Sequence, residues 1–331
     1  MPMTLHDVHI EKDVTTDNAM EKTYTALNKY TPETVGGQVY GRNILIKPNL
    51  VYDTTDKGVV TDVNVIEGIV KYFSERNNKI TIAEGSAIDD TKELFDKFGY
   101  VKLAEKYDVE LVDLNDGPFT KTEVYDMKLD IAKPIIDSDY VISVPVLKTH
   151  EYTAISASVK NLMGCLKRGK ATKDAPKESI HKELTALQKM AESELKEGEE
   201  RIFLPKDNML DYFIAAKKFQ KRLLTLNNII YPQLSVVDAI IAGEGNGPIY
   251  STPIELGMLI IGEKSVPVDA TCARLMGIQP QDVGYLKLAE SSAMGGIYDI
   301  VTNEYPKRIS KRFKFPELIE YIWKSDYKEL I

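Results

Sequence analysis

Short apolar segments alternate with amphipathic segments along the first half of the chain, and this alternation constrains the fold more than any other feature. Apolar runs of strand length occur at residues 43–47, 79–83, 109–112 and 140–144. Between the first two runs, apolar side chains at residues 65–73 recur at helical spacing, after a cap at Thr61 or Asp62. Near-continuous apolar strands joined by helices are typical of parallel sheets that are buried on both faces. The pattern therefore predicts an α/β fold with a mainly parallel, Rossmann-like sheet and helices on both faces.

A highly charged stretch interrupts this pattern in the middle of the chain. Strand signals vanish there, helical spacing dominates, and strands return near residues 234–237 and 258–261. We interpret the chain as one α/β core with an insertion: residues 1–166 form the first half, residues 167–230 a helical insertion or lid, and residues 231–331 the second part that completes the same core. The segment from Lys167 to Lys177 has few apolar anchors, so we expect a gating loop that orders when an anion binds.

Charge and cysteine content argue against several classes of function. The formal net charge of −8 over 331 residues disfavours general affinity for nucleic acid or anionic membranes, which attract an excess of Lys and Arg. Two cysteines, Cys165 and Cys272, are too few for a four-thiolate iron–sulfur or zinc site within this chain. We find neither an apolar run of membrane-spanning length nor the apolar region of a signal peptide. We therefore expect a cytoplasmic protein that binds neither nucleic acid nor membrane.

Polar residues follow the predicted strands with unusual regularity. The segments are Lys47-Pro48-Asn49, Glu84-Gly85-Ser86, Lys148-Thr149-His150 and, after the strand at 234–237, Asp238. Open parallel sheets bind ligands beyond the carboxyl ends of their strands, where the connecting loops supply polar groups. Each segment alone is weak evidence, but their common placement predicts one shared cleft.

Lys148 and His150 are the most informative of these residues. A lysine supplies a positive charge and a histidine titrates near neutral pH, so the pair suits anion binding combined with proton transfer. Lys160 and Asn161 follow ten residues later, and His181 lies beyond a local run of positive charge. A solvated loop is the alternative interpretation of this pair. Because an unpaired buried ammonium is costly, we expect both Lys148 and Lys160 to be partly exposed.

The loop Gly243–Pro248 has three glycines in six residues, a composition similar to that of loops that bind phosphate. It lacks the Lys-Ser/Thr ending of a Walker motif and the GxGxxG pattern, so it indicates neither a P-loop NTPase nor a dinucleotide-binding protein. Asp238, Glu244 and Asp269 are carboxylates available as a general base or as ligands of a divalent cation. The alternative for Asp269 is a cap of backbone amides at a helix start.

The order of these motifs resembles that of the DUF362 family. The matching segments are residues 45–49, 84–86, 144–150, 160–164, 237–238, 243–248, 268–270 and 274–277. Members of this family largely lack an assigned reaction, and many carry ferredoxin-like cysteine motifs that bind 4Fe–4S clusters. This chain lacks those cysteines, so the resemblance implies that any cluster would belong to an iron–sulfur partner protein. His181 matches a histidine that the resemblance places after the Lys-Asn motif.

These motifs lead to one functional hypothesis and one rival. We expect an enzyme that acts on a small anionic substrate, with a divalent metal as an optional cofactor; the rival is a non-catalytic protein that binds a ligand or metallocofactor. The expected catalytic residues are Lys148, His150, Lys160 and Glu84. The expected substrate-binding residues are Lys47, Asn49, Ser86, Asn161, His181, Gly245, Asn246 and Gly247, and the expected metal ligands are Asp238, Glu244 and Asp269. We expect Lys47, Glu84, Lys148, His150, Lys160, Asp238 and Glu244 to line one cleft.

Overall fold

The computed structural model describes residues 5–30, 39–125, 127–168, 180, 183–184, 186–187, 209–248, 250–290 and 296–324. The strands are β1 (His6–Glu11), β2 (Asn43–Lys47), β3 (Lys79–Glu84), β4 (Glu110–Asp113), β5 (Phe119–Val124), β6 (Met127–Ala132), β7 (Tyr140–Ser143), β8 (Val146–His150), β9 (Ala154–Ser156), β10 (Leu234–Asn246), β11 (Tyr250–Gly262) and β12 (Ile300–Thr302). Among these described residues, β5 and β6 form a separate antiparallel hairpin, and the other strands form one large sheet.

The large sheet is mainly parallel, as the sequence predicts. Its strand order is β12-β1-β11-β10-β7-β2-β3-β4, and β8 and β9 are attached beside β10. Parallel pairing joins β10, β7, β2, β3 and β4, whereas β11 runs antiparallel to both β10 and β1. The chain runs outward from β2 through β3 to β4 and then returns to the other side of β2 as β7. The direction of strand addition therefore reverses at β2, and such a reversal is where open α/β sheets form their ligand crevice.

Helices cover both faces of this sheet. The helices are α1 (Ala19–Tyr30), α2 (Val63–Ser74), α3 (Thr91–Lys97), α4 (Tyr100–Tyr107), α5 (Lys133–Ile136), α6 (Ser158–Asn161), α7 (Met209–Ile230), α8 (Ser265–Leu275), α9 (Gly284–Ala289), α10 (Pro306–Ile309) and α11 (Glu317–Lys324), with short 3₁₀ turns at Leu162–Cys165 and Pro280–Asp282. Asp62 is the N-cap of α2, and its side chain accepts a hydrogen bond from the amide of Asn64 at 2.9 Å. This is one of the two caps that the sequence suggested.

The apolar strands are buried on both sides because successive side chains point to opposite faces. In β2, Leu45 belongs to one hydrophobic cluster, whereas Ile44 and Ile46 belong to the other. Helices α1 to α4 contribute to the cluster that contains Ile44, and α7, α8, α9 and α11 contribute to the cluster that contains Leu45. The near-continuous apolar runs thus reflect a central sheet with a core on each side.

Helix α7, within the predicted insertion, packs onto one face of the sheet. Tyr212, Phe219 and Leu223 of this helix are buried in the same cluster as Val237 and Ile260 of the sheet. The expected gating loop from Lys167 to Lys177 lies outside the described residues beyond Arg168. The described helix of this region therefore contributes to the common core.

Candidate active site

A cleft with a volume of about 840 Å³ opens at the carboxyl ends of β2, β3 and β4, close to the reversal of strand order. Residues that the sequence analysis singled out line much of it: Lys47, Asn49, Glu84, Lys148, His150, Lys160 and Asn161. Strand β8 reaches the cleft because it pairs with the part of β10 that extends past the end of β7. Lys148 and His150 lie two residues apart on β8, so they share a face of that strand.

A buried ion pair between Lys47 and Glu84 forms the base of the cleft. The Lys47 Nζ donates to both carboxylate oxygens of Glu84 at 2.8 Å, and the two residues are only 1% and 3% exposed. The carboxylate also accepts the amides of Leu50 at 3.1 Å and Gly85 at 2.7 Å. Removing one partner of such a pair leaves an uncompensated buried charge, which typically costs about 3–5 kcal/mol. Lys47 is therefore held in the ion pair with Glu84.

Asn161 and two glycines complete this base. The Asn161 Oδ1 accepts from the Lys47 Nζ at 3.2 Å, and its Nδ2 donates to the Lys47 carbonyl at 3.1 Å. A Cβ at Gly164 would lie 2.3 Å from the Glu84 Oε1, and a Cβ at Gly85 would lie 2.4 Å from the Gly164 carbonyl oxygen. Because no side chain fits at either position, the backbone can approach the ion pair closely.

Lys148 is buried beside this base without an acidic partner. It is 1% exposed, and its Nζ donates to the carbonyl of Val59 at 3.0 Å. Among the described residues it has no ion-pair partner within 4.0 Å. Burial, together with the charge of Lys160, lowers the pKa of Lys148 to about 7. The expectation that Lys148 is partly exposed is thus wrong, because the loss of its proton can relieve the cost of burial.

Lys160 is half-buried in the cleft wall, in line with the expectation of partial exposure. Helix α6 carries it, and within the described part of the chain its ammonium has no ion-pair partner. Burial lowers the pKa of Lys160 to about 8, and the negative charge of Glu151 opposes this change. Two lysines that interact electrostatically and titrate near neutral pH therefore lie in one cleft.

His150 has one ring nitrogen fixed by the backbone. Its Nδ1 accepts a hydrogen bond from the amide of Tyr152 at 3.0 Å. A neutral ring that accepts at Nδ1 carries its proton at Nε2, so the tautomer of the neutral form follows from this contact. His150 is also buried against the ring of Tyr152, at 5.6 Å between centroids. The residue can therefore present a proton donor at one defined atom.

The mouth of the cleft is acidic and polar. Asp89, Asp90, Asp113 and Asp116 line it, together with Asn115 and Arg168. Asp90 caps α3 by accepting the amides of Lys92 and Glu93. Arg168 donates to the backbone carbonyls of Ile88 and Asp89 and so joins its own segment to the loop that follows β3. The positive charge of the lysines is thus set deeper than the surrounding carboxylates.

Several expected substrate-binding residues do not line the cleft. The Ser86 hydroxyl donates to the carbonyl of Val51 at 2.7 Å, and Val51 rather than Ser86 lines the cleft. Gly245, Asn246 and Gly247 belong to the β10 end, where the Gly245 carbonyl accepts from the Thr149 hydroxyl, and only Pro248 of that loop reaches the cleft. His181 lies outside the described residues.

The three carboxylates expected as metal ligands lie in separate places. Asp238 accepts the amides of Asp62 at 2.9 Å and Ile240 at 3.1 Å, and burial raises its pKa to about 7. Glu244 accepts the amide of Lys314 at 2.9 Å. Asp269 accepts the amides of Ser158 at 2.8 Å and Val159 at 3.1 Å and the hydroxyl of Tyr285 at 2.8 Å.

These contacts correct the expected grouping, because each carboxylate is engaged with backbone amides of a different segment. None of the three lines the cleft. Among the described residues there is no group of three or more His, Cys, Asp or Glu side chains with the spacing of a metal site. Asp269 caps backbone amides, which was the alternative interpretation of this residue. It lies within α8, but the amides that it caps belong to α6. Asp238 and Glu244 therefore do not join the other five residues in the common cleft.

Some cleft residues were missed by the sequence analysis. Asp113 directly follows the strand predicted at residues 109–112, so the strand-end rule already pointed to it. Glu151 follows His150 and could have been included with the Lys-Thr-His segment. Phe219 had no such signal, because its place in the cleft depends on how α7 packs against Tyr152, at 6.3 Å between ring centroids.

Within the described residues, no helix has the length and apolar character needed to cross a bilayer.

The chain is similar to one described protein family and to two known proteins. A family profile described as "Domain of unknown function (DUF362)" matches residues 44–274. The "Thylakoid-associated protein sll1697" of Synechocystis sp. is 24% identical over 244 residues, which cover 73% of this chain and 65% of that protein. A solved structure, the lactate racemase apoprotein from Thermoanaerobacterium thermosaccharolyticum, is similar to this chain with a TM-score of 0.46 and 14% sequence identity. The matched region covers 82% of this chain and 57% of the racemase chain. The chain thus spans less than two thirds of the length of either protein.

Proposed function

This chain belongs to the DUF362 family, and we propose that it is an enzyme whose cleft binds a small anionic substrate and transfers protons to or from it. Lys148 and Lys160 supply the charge that attracts the anion, and His150 and the lysines exchange protons. The substrate class is a small molecule that carries a carboxylate or a phosphate.

One observation carries this proposal: two interacting lysines line a cleft, and within the described residues neither has an ion-pair partner. Their pKa values lie at about 7 and about 8 because burial disfavours the charged form. An anion bound in the cleft would supply the missing countercharge and favour protonation of the lysine that it contacts. Such charge-assisted hydrogen bonds contribute about 1.5–3 kcal/mol each.

The same pKa values suit proton transfer. A general acid or base works best when its pKa lies near the working pH, since both protonation states are then populated. Strongly perturbed titratable groups that share a cleft are more common at catalytic sites than elsewhere. Lys47 and Glu84 neutralise each other in the buried pair, so we assign them to the support of the site.

Calorimetric titration with malonate and with inorganic phosphate tests the binding step. We expect the wild-type protein to bind at least one of them, and Lys148→Met or Lys160→Met to weaken binding about 10-fold to 150-fold. Lys128→Met is the matched control, because Lys128 is an exposed lysine whose partner is Glu123. Unchanged affinity in both cleft variants would contradict the proposal.

Exchange of the carbon-bound hydrogens of malonate in D₂O, followed by NMR, separates an enzyme from the rival, a non-catalytic binding protein. We expect the wild-type protein to accelerate this exchange and Lys148→Met to abolish the acceleration. Tight binding without any acceleration of exchange would favour the rival.

A further inference from the structure

The described lysines that line the cleft, Lys47, Lys148 and Lys160, differ in what surrounds their amines. The Lys47 Nζ is bound to both oxygens of Glu84. Lys160 is half-buried and lies within the electrostatic reach of Glu151. Lys148 is almost fully buried, and within the described part of the chain its Nζ donates to one neutral oxygen, the carbonyl of Val59, at 3.0 Å. Its amine can therefore lose a proton without breaking an ion pair.

A neutral lysine amine next to a second cation is the arrangement that makes a lysine nucleophilic toward carbonyl groups. Of the two interacting lysines, Lys148 loses its proton first because it is buried more deeply and feels the charge of Lys160. Lys160 then keeps its charge and remains available to hold an anion. Lys148 is thus suited to act as the nucleophile, and Lys160 to bind the anionic group.

We propose that Lys148 forms a covalent imine with a small carbonyl compound that carries a carboxylate or phosphate, and that Lys160 binds the anionic group. This inference rests on the proposed anion-binding function and names its substrate class more closely.

The step balances without an oxidant or reductant. The Lys148 nitrogen attacks the carbonyl carbon, a C–N bond forms, and the C=O π bond breaks to give a carbinolamine. The hydroxyl group then takes up a proton and leaves as water, and the product is a protonated imine. Overall, an amine, a carbonyl compound and one proton give an iminium ion and water. The proton comes from solvent, and His150, which lies on the same face of β8 as Lys148, is the residue we assign to donate a hydrogen bond from its Nε2 to the departing hydroxyl group.

Reduction with sodium borohydride makes the adduct permanent and identifies the lysine. The protein is incubated near neutral pH with pyruvate or with dihydroxyacetone phosphate, reduced, and analysed by intact-mass and peptide mass spectrometry. With pyruvate we expect a single adduct on Lys148 with the mass of pyruvate less one oxygen atom. The two probes decide whether the anionic group is a carboxylate or a phosphate. Acetone, which carries no anionic group, should give at least about tenfold less adduct.

Variants separate the two roles. Lys148→Met and Lys148→Arg should give no adduct, and their circular dichroism and melting temperature report whether the fold is kept. Lys160→Met should still form the adduct on Lys148 but need at least about tenfold more pyruvate. Lys128→Met should behave like the wild type.

The outcomes distinguish this inference from the proposed function. Binding of malonate or phosphate that depends on Lys160, with no adduct from either carbonyl probe, would overturn the imine and leave anion binding standing. An adduct on Lys160, or one spread over surface lysines, would also overturn it. The absence of any anion binding would contradict both proposals.

Discussion

Lys148 and Lys160 illustrate how burial changes the chemistry of a side chain. Both lack a carboxylate partner among the described residues, and burial lowers their pKa values to about 7 and about 8. An ordinary lysine titrates near 10.4 and stays charged in the cell. The desolvation that lowers these pKa values also strengthens the interaction of the remaining charge with any anion that enters the cleft.

The affinity of the cleft for an anion should therefore depend on pH. An anion binds the protonated lysines and raises their pKa values, so affinity is full below about pH 7 and falls as pH rises through about 7 and 8. The loss approaches about tenfold per pH unit for each proton that binding must take up. Sulfate is the suitable probe, since its own charge is constant over this range.

Calorimetry with sulfate between about pH 6 and about pH 9 measures this dependence. In Lys148→Met the step near pH 7 should vanish, whereas the step from Lys160 should remain. A flat profile for the wild-type protein would show that the lysines keep their protons throughout and would refute the assignment.

At the scale of elements, α6 depends on a carboxylate from another helix. Asp269 of α8 accepts the first amides of α6, from Ser158 and Val159, and Tyr285 of α9 donates to the same carboxylate. Lys160 lies one residue beyond Val159, so Asp269 is a positioning residue for this lysine. This contact joins segments that are 111 residues apart, at Ser158 and Asp269.

Removal of the Asp269 carboxylate should loosen α6. We expect Asp269→Ala to lower the free energy of unfolding by at least about 1.5–3 kcal/mol, because buried amides lose a charged acceptor. Hydrogen exchange at the amides of Ser158 and Val159 should become faster, and malonate should bind more weakly. Asp139→Ala is the control, since Asp139 accepts the amide of Asn43 in an exposed position. Unaltered protection of both amides in Asp269→Ala would show that α6 does not need this cap.

At the scale of the whole molecule, the cleft is formed by segments from both halves of the chain and from the middle. Lys47, Glu84 and Lys148 come from the first half, Pro248 from the second, and Phe219 from α7. Phe219 is also part of the large hydrophobic cluster on one face of the sheet. The cleft wall and the core are therefore continuous at this point.

Truncation of Phe219 should affect the fold and the cleft together. We expect Phe219→Ala to lower the free energy of unfolding by about 3–5 kcal/mol, because it removes a large buried ring. Leu210→Ala is the control on the same helix, where the side chain is 64% exposed and the effect should stay within about 0.5 kcal/mol. Urea unfolding measures both. Equal, small effects would mean that α7 is docked loosely on the sheet.

Local pattern was sufficient to predict the central sheet and much of the cleft. The strands β2, β3, β4 and β7 lie where apolar runs end in polar residues, and the carboxyl ends of parallel strands meet at one edge whatever the intervening loops. From that rule we predicted, without knowledge of their contacts, that Lys47, Glu84 and Lys148 share one site. It did not extend to Asp238, although this residue also follows predicted strand residues, because β10 continues past it to Asn246.

The α/β class, the mainly parallel sheet and the location of the polar edge could all be predicted from the amino-acid sequence, because they follow from the spacing of apolar and polar residues along short segments. The pairing of the charges, in contrast, could be seen only in the folded chain. Lys47 pairs with Glu84, and Asp269 binds backbone amides rather than a metal or a lysine. Among the described residues, Lys148 is buried and its amine donates to the carbonyl of Val59 rather than to a carboxylate. Pairing and burial depend on contacts between segments far apart in the chain, and these contacts set the pKa values on which the proposed chemistry rests.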